Sequence, residues 1–317
     1  MATNLFEQDF NKRISVLNAK MEKLATKLQR TIQQALTNPS SSTAYWASVN
    51  KEIEILYAEM NETFALWVSK NVPNRFIRSI KNMMNYINKQ KIITERAART
   101  FTKMINSRYV TNISQILYQD AILSMSSALD TGKRNMLRLT RLTQQKLIDE
   151  SLINFTLADT LVGGDLKAGI SQLHLQLLNA LGNKQFVQAG SRKYNPAYYA
   201  EMIGRVKFHE AQAQGALITC ANYDTDIIQV SSHNTTTEIC MPFEGKIFSI
   251  SGNDKRFPPL DDIPPFHPNC LHNLYPYFES AMEATGTTKG WSDFSWGITD
   301  RPPGNSSFIP LSERTIV

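Results

Sequence analysis

Five side chains with metal-binding or nucleophilic chemistry lie between Ser231 and His272: His233, Cys240, His267, Cys270 and His272. Thiolates and neutral imidazoles are the ligands zinc prefers, and four of them around one ion make a structural tetrahedron. Cys240, followed about thirty residues later by His267-Pro268-Asn269-Cys270, is compatible with such a site, with His233 as a further donor. The metal reading is therefore a structural zinc on Cys240, His267, Cys270 and His233. The spacing argues the other way. Thr237 stands three before Cys240, so no paired CxxC exists. The two-residue step from Cys270 to His272 also speaks against joint ligation from a strand, because one side chain intervenes. In the competing reading both cysteines are small buried apolar residues, and the histidines hydrogen-bond a compact loop. Cys220 makes the cysteine count odd, which does not suit a disulfide framework.

The same stretch can be drawn as a catalytic site. Cys270 with His267 or His272 would be a nucleophile and its base, and Glu238 with Glu244 an acid–base pair. Arg205, Ser231-Ser232 and Glu238 would be a loose arginine–serine–glutamate set of the kind ADP-ribosyltransferases use. No triad or oxyanion hole organises any of these, and carboxylates near a turn more often cap backbone or face water. The expectation is no enzyme, with no catalytic and no cofactor-binding residue.

The segments that must position these residues change character near residue 190. Only Pro39 and Pro73 precede residue 195, and the other eleven prolines follow from Pro196. Proline is costly inside helices, so the first part can be mostly helical and the second cannot. Phe6, Phe10, Ile14, Leu17, Met21, Leu24, Leu28, Ile32 and Ala35 recur at steps of three and four, the stripe of a long, coiled-coil-like helix. Thr37 to Ser42 predicts a loop. Trp46, Val49, Ile53, Leu56, Met60, Phe64 and Trp67 predict a second helix ending at Asn71-Val72-Pro73-Asn74. Pro73 then restarts a helix through Phe76, Ile80, Met83 and Ile87. From Ile92 to Glu150 the sequence favours helix, with a break at Asp130-Thr131-Gly132 and a basic run after it, Lys133, Arg134, Arg138 and Arg141. Gly163-Gly164-Asp165 marks a turn, and Leu166 to Leu181 another helix.

Tyr198 to Ala216 reads as an amphipathic helix with Met202, Val206, His209 and Ala213 on one face. Asp226–Ser232, Lys246–Ile250 and His272–Tyr277 read as short strands. Glu244-Gly245-Lys246 is a turn into the second, with Gly245 supplying a backbone conformation other residues resist. A proline-rich loop spans Pro258 to Pro268. The fold class is α+β: a long helical region over 1–190, a small α+β domain with a few short strands over 191–280, and an extended tail over 281–317. No apolar run approaches the ~20 residues a bilayer span needs, and the first ten residues show no signal-peptide pattern. Charge is divided too: 26 basic against 14 acidic residues up to 195, and 8 against 14 beyond. A basic half can meet nucleic acid or simply be a solvated helical surface.

Four pieces in order resemble the phage "minor capsid protein 2" family, relatives of Mu F-like head morphogenesis proteins. Arg192-Lys193-Tyr194 with Tyr198-Tyr199-Ala200-Glu201-Met202 resembles the lead-in to the family's domain helix. Arg205 with His209-Glu210-Ala211 falls on its arginine and Glu-Ala step. Val230-Ser231-Ser232-His233 with Pro242 to Ser249 resembles its strand–loop–strand centre, and His267 to Tyr277 its closing motif. The chain departs from Mu F-like relatives at Thr237, where a paired cysteine is usual, and at Leu271, where arginine is usual. The resemblance implies a structural minor head protein of a tailed phage, made in the bacterial cytoplasm and carried in the virion near the portal. It would act in head assembly, with a part in DNA packaging or ejection. Portal and capsid proteins are the implied partners, with self-association through the N-terminal helices and nonspecific contact with packaged DNA, and no membrane. The alternatives are a metal-dependent enzyme or transferase using the Cys/His cluster, or a nonspecific DNA-binding virion protein.

Overall fold

A computed structural model describes residues 2–37, 42–89, 108–156, 182, 184–223, 225–233 and 235–277. In chain order these form α1 (Ala2–Thr37), α2 (Thr43–Lys89), α3 (Arg108–Thr156), β1 (Val187–Ala189), β2 (Arg192–Tyr194), α4 (Pro196–Asn222), β3 (Ile227–Val230), β4 (Ile247–Ser249) and β5 (Leu274–Pro276). The chain is α+β: long helices, then a few short antiparallel strands. The helix expected over Leu166–Leu181, the turn at Gly163 and the tail over 281–317 lie outside the described residues.

Two compact units divide the chain, one from Met1–Ser69 with Gln119–Gly204, the other from Lys70–Tyr118 with Arg205–Val317. The first is a helical bundle with a hairpin. In α1, Phe10, Ile14, Leu17, Met21, Ala25, Leu28, Ile32 and Ala35 are buried, so the expected stripe is a core seam. Leu24 sits beside it, half-exposed, and Ala25 takes its place. Trp46, Ile53, Leu56, Met60 and Phe64 bury the facing stripe of α2. Polar contacts fix the directions. Trp67 Nε1 donates to Arg13 O at 3.0 Å and Lys27 pairs with Glu52, so α1 and α2 run antiparallel. Ser126 donates to Asn61 Oδ1 and Thr140 to Asn50 Oδ1, each at 2.8 Å, which sets α3 antiparallel to α2. The β1–β2 hairpin turns at Gly190, which has φ +58°, and pairs Val187 with Tyr194. Arg192–Tyr194, expected to lead into a helix, is thus a strand, and the helix begins two residues later.

Two expected breaks are absent. α2 runs through Pro73. Proline costs a helix interior about 3 kcal/mol, but Val72, Phe76 and Ile80 on either side are fully buried. Each contributes roughly 1.5–3 kcal/mol, so packing outweighs the defect. α3 likewise runs through Asp130-Thr131-Gly132. Gly132 is not a cap. A Cβ built there would sit 2.0 Å from the carbonyl oxygen of Phe186, so the residue is glycine because the chain passes against it. That same carbonyl accepts the Tyr57 hydroxyl at 2.7 Å.

The second unit packs the C-terminal parts of α2 and α4 with a three-stranded sheet in the order β4-β3-β5. Both pairings of the central β3 are antiparallel, Ile228 facing Phe248 on one side and Pro276 on the other. Met83, Ala213, Ala216, Cys220, Ile228, Val230, Phe248, Leu260, Ile263 and Leu274 form its core. Ser79 donates to Gln212 O at 2.9 Å, and Gly215 lets the two helices approach this closely, since a Cβ there would meet Ser79 at 2.7–2.8 Å. The amphipathic reading of α4 needs correction. From Lys207 to Ala213 every residue is buried, so this part of the helix is enclosed rather than half-solvated.

Candidate metal centre

Beyond Val230 the sheet frays into the loops that carry the cysteines and histidines. Ser231 continues the β3 pairing on both sides: its N–H donates to Asn273 O at 2.9 Å and its carbonyl accepts Gly245 N at 3.3 Å. The 235–245 loop therefore leaves one edge of this strand end, and the 266–273 segment arrives at the other. Successive turns wind Thr237–Lys246 tightly, with Cys240 N and Met241 N both donating to Thr237 O, and Phe243 N and Glu244 N to Cys240 O. Gly245 closes the turn at φ +70°, as its glycine identity requires. Phe243 stacks on Phe266 with ring centroids 4.2 Å apart and joins the two loops by an apolar contact.

This geometry brings Cys240, Cys270 and His272 together. Their donor atoms lie within 4.8 Å of one another, and all three side chains are buried. Cys240 Sγ stands 3.9 Å from Cys270 Sγ, which in turn is 3.4 Å from His272 Nδ1. The two-residue step from Cys270 to His272 does not separate them. In extended chain, residues i and i+2 share a side, and the intervening Leu271 points outward, 37% exposed. The other histidines have local partners. His233 Nε2 shares a 2.8 Å hydrogen bond with Ser231 Oγ, its ring edge-on to His272 at 5.2 Å. His267 Nδ1 accepts Asn269 N–H at 3.3 Å.

Glu244 stands behind the cluster. Its carboxylate accepts the backbone N–H groups of His233 and Thr235 and the hydroxyl of Ser232, and Oε2 is 3.9 Å from His272 Nε2. Burial opposes ionisation of this carboxyl, but those three donors outweigh it and hold it below the usual carboxylate range. Glu238, by contrast, is exposed. His272 Nε2 is buried without a hydrogen-bond partner among the described residues.

The electrostatics do not favour a nucleophile. Burial, reinforced by Cys270, pushes the Cys240 thiol up to about 12, and burial raises the Cys270 thiol as well. A catalytic cysteine needs the opposite shift. Burial and the nearby His233 hold His272 below the ordinary histidine range, so it is neutral and a donor rather than a cation. The residues the sequence singled out least, His272 and Glu244, are built most firmly into the site. The i,i+2 geometry was the available signal for His272.

Long helices and a small strand module closed by two buried thiols and an imidazole define the described part of the protein. The profile of the phage minor capsid protein 2 family matches residues 48–289, most of the chain, and the chain belongs to that family. It is thus a bacteriophage virion structural protein. No curated protein and no solved structure matches the chain. No described helix is long and apolar enough to cross a membrane.

Proposed function

We propose that this minor capsid protein acts in head assembly beside the portal, takes part in DNA packaging or ejection, and is not an enzyme. The observation that carries this reading is the family match over residues 48–289. The helical frame supports an architectural role. The α1 and α2 stripes are already buried within the single chain, so contacts with portal or capsid proteins fall to other faces, where Val16, Ile55, Leu66 and Leu123 are exposed. The raised thiols of Cys240 and Cys270 count against a cysteine nucleophile there.

The experiment is fractionation of the purified particle. Mass spectrometry of virions, tail-free heads and proheads, with cross-linking to the portal protein, is expected to find the chain at low copy in all three and cross-linked to portal. Absence from heads, or cross-links to tail proteins alone, would reject the portal-proximal assignment.

A further inference from the structure

We propose that Cys240 Sγ, Cys270 Sγ and His272 Nδ1 bind one soft divalent cation of the zinc class, and that this metal staples the 235–245 loop to the 266–273 segment. Zinc bonds to sulfur and to imidazole nitrogen run about 2.3 and 2.0–2.1 Å, and at the tetrahedral angle these place sulfur from sulfur about 3.8 Å and sulfur from nitrogen about 3.6 Å. The structure has 3.9 and 3.4 Å. Two of the three donor separations thus already match a zinc tetrahedron, and the third lies within 4.8 Å, so metal binding needs only a small closing of the three side chains.

The second observation is Glu244. A metal-bound histidine typically turns its other ring nitrogen toward a carboxylate, which fixes the tautomer and strengthens the ligand. Here Nδ1 faces the sulfurs, and the otherwise partnerless Nε2 faces Glu244 Oε2 at 3.9 Å. The carboxylate is itself fixed by the N–H groups of His233 and Thr235. Glu244 is a positioning residue in this arrangement and does not ligate. His233 Nε2 is engaged by Ser231 and is not counted among the ligands.

Binding displaces one proton from each thiol, so two protons leave for each metal taken up and apparent affinity falls as pH drops. The staple joins residues thirty apart in sequence across the end of β3, adding to the hydrogen bonds of Ser231 and the Phe243–Phe266 stack.

The test uses the full-length protein purified under reducing conditions from zinc-supplemented medium. Elemental analysis is expected to give about one zinc per chain. Cobalt replacement should give thiolate-to-metal charge transfer and tetrahedral ligand-field bands. Cys240→Ser, Cys270→Ser and His272→Ala should each lower metal content at least tenfold, while Cys220→Ala and His233→Ala keep it. Chelation should lower the melting temperature of the wild type and leave Cys240→Ser unmoved. Substoichiometric zinc with no change of melting temperature on adding zinc or chelator would overturn the proposal on the wild-type protein alone, whether or not the variants fold. Loss of metal in His233→Ala would overturn this ligand set.

Discussion

Glu244 holds the 231–245 loop through its charge. Hydrogen bonds to an ionised group contribute about 1.5–3 kcal/mol each, less where solvent screens them, and Glu244 accepts two half-buried ones and one at the surface. A glutamine keeps the shape but presents a single acceptor oxygen and no charge. Glu244→Gln is therefore expected to lower stability by roughly 2 kcal/mol at neutral pH, read as a urea midpoint in the presence of chelator. The pH dependence has a definite sign. Because the folded carboxyl titrates below its usual range near 4.5, its contribution is fully present above that range and is lost as pH falls through the depressed folded value. The gap between wild type and variant should close on acidification; a gap that widened would contradict the assignment. At this scale the sequence made Cys240 and Cys270 legible by type alone. His272 was obscured by the idea that the intervening Leu271 separates it from Cys270, whereas in extended chain adjacent residues point apart and i and i+2 share a side. Glu244 was obscured because its partners are mostly backbone N–H groups, and no residue pattern announces those.

The helices were legible wherever one face is apolar. Every described member of the α2 stripe from Trp46 to Met83 is buried, as the spacing predicts. The misread points were local breakers overruled by packing: Pro73 flanked by buried Val72 and Phe76, and Gly132 between buried Leu129 and Met136. Both were read for what they do to an isolated helix, where nothing compensates. Gly132 supplies a sharp test. Alanine is the better helix former by about 1 kcal/mol, so a solvated glycine would be stabilised by the change. Here a Cβ meets the Phe186 carbonyl oxygen and carbon at 2.0 and 3.0 Å, and backbone held by Tyr57 cannot shift cheaply. Gly132→Ala is expected to destabilise by about 1–3 kcal/mol, measured by thermal or urea unfolding; a rise in stability would show that the hairpin does not lie against α3. The β1–β2 hairpin itself was not legible, since three-residue strands offer too few alternations to stand out from a loop.

Taken as a molecule, the chain concentrates its positive charge in the helical part, and α3 displays some of it in order. Arg134, Arg138 and Arg141, at steps of four and three, are exposed along the rim of a shallow cleft floored by Leu137 and Leu142. Such a row suits the phosphates of duplex DNA without reading sequence. Each phosphate contact contributes about 0.9 to the slope of log affinity against log salt. Replacing all three arginines with glutamine should flatten that slope by about 2–3 on duplex DNA of arbitrary sequence, followed by fluorescence anisotropy from low to physiological salt. An unchanged slope would remove this row from any DNA contact.

The interleaving of the two units also sets an order of events during synthesis. The first unit is complete in sequence once the ribosome has passed Gly204, whereas residues 70–118, made long before, belong with a segment that begins only at Arg205. The second unit cannot close on the nascent chain until its later strands emerge. The same interleaving means that no single cut in the gene yields either unit whole: a fragment ending at Gly204 carries 70–118 without its partner, and one starting at Arg205 lacks it. Isolating a unit would require excision and religation of the coding sequence, not truncation.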